Sequence, residues 1–231
     1  MRRFLLLATA TFCSALILSA CSDDNSGNDE QGETQATYTV TFESSWSAET
    51  HPTGFPANAH FSPLVGATHN NTVIIWDAGE LASEGIEVMA ETGGTTPLQA
   101  EVQDMIDSGR AGQILLGPEM EVSPGSVQMT FTITSDFPLV SLVSMLAPSP
   151  DWFLGVRSVN LLGGDGIFLD EAVVELQAYD SGTDSGTDYT SPNEDTNPAV
   201  PIFRILEAPF RFPNGTVPSI GVMRFEKTSG Q

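Results

Sequence analysis

PLVSLVSMLAPSPDWFLGVRSVNLL, residues 138–162, holds two apolar runs joined by a proline-rich turn. The first run, near 138–147, is apolar at almost every position, the pattern of a strand buried on both faces. Pro148 and Pro150 stiffen the turn. Asp151 then stands immediately before the second run, WFLGVRSVNLL (152–162).

Outward from this pair the chain repeats the theme. TYTVTFESSW (37–46) sets Tyr38, Val40 and Phe42 on one face, the two-residue period of a half-buried strand. NTVIIWDAG (71–79), GQILLG (112–117), SVQMTFTIT (126–134), EAVVELQAYD (171–180), FRILE (203–207) and IGVMRFEK (220–227) read as further strands. They are short and separated by Gly, Pro, Asn and Asp clusters, which predicts an all-β, antiparallel sandwich. Two short helices interrupt it. ELASEGIEVMAETG (80–93) sets Leu81, Ile86, Met89 and Ala90 near one face and stops at Gly93. TTPLQAEVQDMIDSG (95–109) offers Thr96 as N-cap, Pro97 at the first helical position and Gln99 in a capping-box position, with Leu98, Val102, Met105 and Ile106 as its apolar stripe. Both helices are expected to form one lid over the sandwich, without chemistry of their own.

The amino terminus reads differently. MRRFLLLATATFCSALILSAC has a basic start, an apolar run from Phe4 to Leu18 and small residues before Cys21. That apolar run is too short to span a bilayer comfortably, so residues 1–20 read as a signal peptide. Leu18-Ser19-Ala20-Cys21 resembles the bacterial lipobox, which implies cleavage before Cys21 and its acylation. More than one acyl chain makes a firm membrane anchor. Ser22 in place of Asp favours the outer membrane of a bacterial envelope. Residues 21–36, rich in Asp, Glu, Asn and Gly, read as an acidic disordered tether, and 37–231 as the folded domain.

The chain has two cysteines, Cys13 in the signal peptide and Cys21 at the lipid site. The domain therefore has no thiol for a disulfide or a thiolate metal site. Thirty acidic residues against eight basic ones give a net charge of −22, deepening to −24 without Arg2 and Arg3. Such a surface repels phosphate backbones and excludes nucleic-acid binding as a role. It suits divalent cations or basic partners.

YDSGTDSGTDY (179–189) repeats SGTD and spaces Asp180, Asp184 and Asp188 four apart. It lacks the register of an EF-hand. On spacing alone it is either a solvated acidic loop or half of a calcium site, which needs six to eight oxygen ligands. In a sandwich, loops from different strands meet at one end, so Asp151 could supply a third carboxylate beside Asp180 and Asp184. His51, His60 and His69 fall nine apart in Pro-, Gly- and Asn-rich segments. Structural hydrogen bonding is expected of them rather than zinc. Trp46, Trp76 and Trp152 are expected mostly in the core rather than on a carbohydrate platform. With so many acids, a carboxylate pair for glycoside hydrolysis has no diagnostic spacing. No catalytic constellation appears, so no enzyme is expected.

WSAETHPTGFPANAHFSPLVGATH (46–69), ASEGIEVMAETG (82–93), APSPDWF (147–153), YDSGTDSG and IGVMRFEK, in that order, resemble the spondin domain, the module of F-spondin and mindin. The resemblance covers about residues 37–228. It implies a Greek-key sandwich like that of calcium-dependent membrane-targeting modules, and a calcium ion held by Asp151, Asp180 and Asp184. Asp188 belongs to the duplication and is read as a solvated loop residue. The cysteines of the animal domains, for example near VNLLGGDG (159–166), are absent here. The resulting expectation is a non-enzymatic calcium-binding adhesion or recognition module, lipid-anchored at Cys21, with a protein or glycan as its surface ligand. A structural envelope lipoprotein with a purely stabilising calcium site, and a carbohydrate-active hydrolase, are the alternatives.

Overall fold

The computed structural model describes residues 32–230. The signal peptide, Cys21 and most of the tether lie outside the described residues. The elements are β1 (Gln35–Ser44), β2 (His60–Phe61), β3 (Val65–His69), α1 (Glu84–Thr92), α2 (Thr96–Asp107), β4 (Ala111–Leu116), β5 (Gly125–Thr134), β6 (Leu139–Ala147), β7 (Trp152–Asn160), β8 (Glu171–Leu176), β9 (Tyr179–Asp180), β10 (Phe203–Arg204) and β11 (Gly221–Gly230). They form two antiparallel sheets. One has the order β5-β1-β11-β8; the other runs β10-β9-β7-β6-β3-β4, with β2 beside β6. Neighbours such as β1 with β11 and β3 with β6 are far apart in sequence, the return connections that a Greek-key arrangement uses.

The period-two strands face the inter-sheet core. Tyr38, Val40 and Phe42 of β1 are fully or almost fully buried, as are Met223 and Phe225 of β11 opposite them. β6 is different because the larger sheet is covered on both sides. Val140, Leu142 and Leu146 point into the core between the sheets, while Val143 and Met145 meet the helices. The apolar run of 138–147 thus sits in a strand buried on both faces.

The helices pack on the outer face of the larger sheet through Ile86, Met89, Ala90, Leu98 and Val102. Two details lock them together. A Cβ on Gly85 would lie 2.6 Å from the Leu98 Cα, so glycine permits their close approach. Glu101 of α2 accepts from Ser83 Oγ and Gly85 N, both at 2.7 Å, at the amino end of α1, where the helix dipole favours a carboxylate. Gly93 closes α1 in the left-handed conformation at φ 71°.

Several expectations need correction. Residues 71–79 are turns, not a strand: the Asn70 side chain accepts from Thr72 N and Oγ1, and Val73 and Trp76 are buried from that turn. Leu81 is 61% exposed and plays no part in the α1 face. The α2 N-cap is Thr95, one residue earlier than expected. The strand expected at 203–207 is only Phe203–Arg204. β1 starts at Gln35, inside the expected tether, and Glu33 already bonds Phe168 N and pairs with Lys227.

His51 and His69 are fully buried. His69 Nδ1 bonds the Asn70 carbonyl at 2.8 Å and its Nε2 bonds Ser141 Oγ at 2.9 Å. Ser141 Oγ also accepts from Ser158 N, where the chain turns to φ 48° and the β6–β7 register shifts. Burial holds both imidazoles below their ordinary 6.5, against an opposing backbone hydrogen bond in each case. A depressed histidine contributes stability above its unfolded pKa and loses it as pH falls through the folded value. The stability advantage of the protein over His69→Gln should therefore shrink as pH falls below the ordinary imidazole value of 6.5, as urea unfolding will show.

Candidate metal centre

The β6–β7 turn delivers Asp151 to one end of the larger sheet, where it is completely buried. β7 then pairs with β9, setting Trp152 opposite Asp180. The chain leaving β9 is SGTDSGT, and it wraps the Asp151 carboxylate. Oδ2 of Asp151 accepts from Ser181 Oγ at 2.9 Å, Thr183 N at 2.9 Å and Asp184 N at 3.1 Å. Ser181 N also bonds the Asp151 carbonyl at 3.1 Å. Oδ1 of Asp151, equally buried, takes no N–H or hydroxyl donor among the described residues; the Asp180 carboxyl lies close enough to bond the Asp151 carboxylate, but only while it is protonated.

The duplication in the sequence is a duplication in structure. Asp180 Oδ1 accepts from Gly182 N at 2.8 Å, and Asp184 Oδ1 accepts from Gly186 N at 2.7 Å. The second oxygens differ. Asp180 Oδ2 takes the Trp152 indole N–H at 3.2 Å, and Asp184 Oδ2 takes Glu194 N at 2.9 Å. Both glycines are sterically required. A Cβ on Gly182 would lie 2.1 Å from the Val200 carbonyl, and one on Gly186 would lie 2.6 Å from Pro150 Cγ. Asp188 is exposed, in keeping with a solvated loop residue.

The tyrosines that bracket the loop anchor it on opposite sides. Tyr179 packs against Trp76 and Phe153, with ring centroids 5.0 and 5.9 Å away. Tyr189 packs against Trp46, Trp152 and Phe210 at 5.5, 5.3 and 5.8 Å. Trp46, Trp76 and Trp152 are all core residues. Trp152 thus joins the carboxylates to the aromatic cluster, by its N–H on one side and its ring on the other.

Burial and the neighbouring Asp151 charge raise Asp180 to about 7. Glu91, in the last turn of α1, is also raised, by burial first, with Glu87, Asp151 and Asp184 adding to it and a hydrogen bond to the Thr183 side chain opposing. The helices were expected to carry no chemistry; α1 instead brings a fourth carboxylate to this end. Its only sequence signal was its place in the last turn of α1, two residues before the Gly93 stop.

Among the described residues, no three acidic, cysteine or histidine side chains converge as a ready-made metal cage. The arrangement brings Asp151 and Asp180 together and holds Asp184 on the same loop by backbone amides. The three histidines are dispersed: His51 lies against Phe210 and Phe212, His60 bonds the Asn58 carbonyl, and His69 bonds Ser141.

The loop geometry makes a graded prediction. Gly182 has φ 79° and no room for a Cβ, whereas Gly54 has φ 63° and nothing within 4 Å. Gly54→Ala should cost only the left-handed backbone strain, about 1 kcal/mol. Gly182→Ala should cost clearly more, about 3 kcal/mol or above, because the Val200 backbone must also move. Parallel urea titrations of the two variants check this ordering.

A family model described as Spondin_N matches residues 36–214. Spondin-1 of Gallus gallus is 32% identical over 193 residues, covering 78% of this chain and 24% of spondin-1. Spondin-1 of Homo sapiens is 31% identical over the same 78% of this chain. Spondin-2 of Homo sapiens is 33% identical over 169 residues, covering 71% of this chain and 50% of spondin-2. The chain therefore spans about a quarter to a half of the length of these relatives. Since the matched stretch takes in β1 from its second residue, every element from β2 to β10 and all three loop-end aspartates, this chain belongs to the Spondin_N family.

Proposed function

We propose that the chain is a non-enzymatic adhesion or recognition module whose loop end binds calcium through Asp151, Asp180 and Asp184, displayed on a bacterial envelope by a lipid at Cys21. Membership of the spondin family supports the recognition role. The observation that carries the calcium reading is a fully buried Asp151 oxygen that no N–H or hydroxyl satisfies, in a carboxylate close enough to Asp180 to share a proton with it. A buried carboxylate oxygen without a donor is costly. A hard cation satisfies it, and an all-oxygen set of carboxylates supplemented by carbonyls and water is what calcium takes.

In this reading Asp151 and Asp180 supply the negative charge, and Asp184 and the loop carbonyls complete the shell. The cation offsets the burial and the Asp151 charge that together raise Asp180, and it ties the β6–β7 turn to the loop after β9. The hydroxyl bonded most closely to Asp151, that of Ser181, is fully buried with it and out of reach of a substrate, and the role is recognition. The partner is a protein or glycan at the cell surface, met by the loops that the ion orders.

The sign of the pH effect follows. A carboxyl raised from 3.8 to about 7 stabilises the metal-free fold at low pH, and that contribution is lost as pH rises through the folded value. Calcium must displace the Asp180 proton, so its affinity should fall as pH drops below about 7. Calorimetric titration of residues 32–231 should show one saturable site, with stabilisation of about 2.7 kcal/mol at a hundredfold excess over Kd. Asp180→Asn should abolish both. Binding that survives Asp151→Asn, Asp180→Asn and Asp184→Asn combined would refute the assignment.

A further inference from the structure

The two sheets end in four edge strands, β5 and β8 on one and β10 and β4 on the other. Outward N–H and C=O groups on an edge are a template for another strand, which proteins block with charge, brevity or cover. Three of these edges are blocked. β8 carries Glu171 and Glu175, β10 is two residues long, and β4 is six residues long and lies near the Thr132 end of β5, which its Gln113 side chain reaches. β5 is none of these. Its ten residues, GSVQMTFTIT, include no charge and no proline, and its register with β1 is unbroken from Gly125 to Thr134.

The phase of the open edge is fixed by one contact. Gln113 of β4 donates through its side-chain amide to the carbonyl of Thr132. That carbonyl therefore points away from β1. By the alternation of an antiparallel ladder, the backbone groups of Thr130, Gln128 and Ser126 point the same way. Among the described residues β5 pairs with no strand but β1, and no other group bonds these three outward-facing amides and carbonyls. Thr132 is held by Gln113, so the open stretch is centred on Gln128.

We infer that this edge is a self-association surface, where β5 of a second copy adds antiparallel to β5 and joins two four-stranded sheets into one of eight. The occupant must be an extended strand, because the open groups have ladder spacing. The stretch is also self-complementary. A two-fold axis at Gln128 sets it opposite Gln128 of the partner subunit, and Ser126 opposite the partner's Thr130. Every outward residue then meets an outward residue, and the facing side chains are hydroxyls and amides that hydrogen-bond across strands. In a chain of net charge −22, β5 is the ten-residue strand that brings no like charges together. The isologous contact closes and does not propagate.

Gln128 and its counterpart would form a hydrogen-bonded pair with Cα atoms about 5.5 Å apart, within the span of a disulfide. The full chain carrying Gln128→Cys, mildly oxidised in the membranes of the producing cell, should form a covalent dimer. The unsubstituted chain and Glu175→Cys on the β8 edge should not. Sedimentation of the unsubstituted full chain in detergent should show a dimer that strengthens with salt, as the acidic surfaces are screened. Gln128→Lys, placing like charges directly opposite, should weaken that dimer about tenfold and leave its circular dichroism unchanged. The inference is overturned if Gln128→Cys cross-links no faster than Glu175→Cys, or if the unsubstituted chain sediments as a monomer at high salt.

Discussion

The end of the sandwich that carries Asp151, Asp180 and Asp184 depends on one buried carboxylate. Asp151 is fully enclosed, and one of its oxygens accepts from the Ser181 hydroxyl and from two consecutive backbone amides. Such amides left without an acceptor would each cost about 1–3 kcal/mol, and a buried charge without donors would cost more. Each side of the contact therefore requires the other. The turn cannot keep its aspartate buried without the loop, and the loop cannot keep its fold without the aspartate. Gly182 and Gly186 follow from the same constraint, since the loop lies too close to Val200 and Pro150 for any side chain.

This contact converts sheet register into site geometry. Because Trp152 pairs with Asp180, the residue before β7 and the residue ending β9 are brought together whatever the intervening loop does. The indole of Trp152 then fixes Asp180, while its ring leans on Tyr189 and Phe210. Order in the carboxylates is thus coupled to an aromatic cluster that also contains Trp46 and Phe55, on the loop after β1. Three separate loops share one packed base. A recognition surface built on them would inherit its rigidity from the core rather than from the loops.

Much of this was legible in the sequence, for identifiable reasons. Strands with one buried face, such as β1 and β11, announce themselves by period two. β6 announced itself by unbroken apolarity. VGATH in β3 escaped because all five of its residues are buried and two are polar, His69 and Thr68, satisfied inside the sheet. NTVIIWDAG misled in the opposite sense, because a turn pinned by the Asn70 side chain can bury Val73 and Trp76 as well as a strand can. The motifs singled out Asp151, Asp180 and Asp184, but not the unequal places the structure gives them. That Asp151 is the buried hub, and that Glu91 joins the cluster from α1, depends on tertiary packing that no local spacing encodes.

The most direct test of this account is amide hydrogen exchange at Thr183 and Asp184, the two backbone donors to Asp151. If the carboxylate organises the loop, both amides are protected well above the exposed loop at Thr187 and Asp188 without calcium, gain further protection with it, and lose both in Asp151→Asn. Exchange at loop rates in the calcium-free protein, or protection that survives Asp151→Asn, would contradict the claim that this buried carboxylate holds the site together.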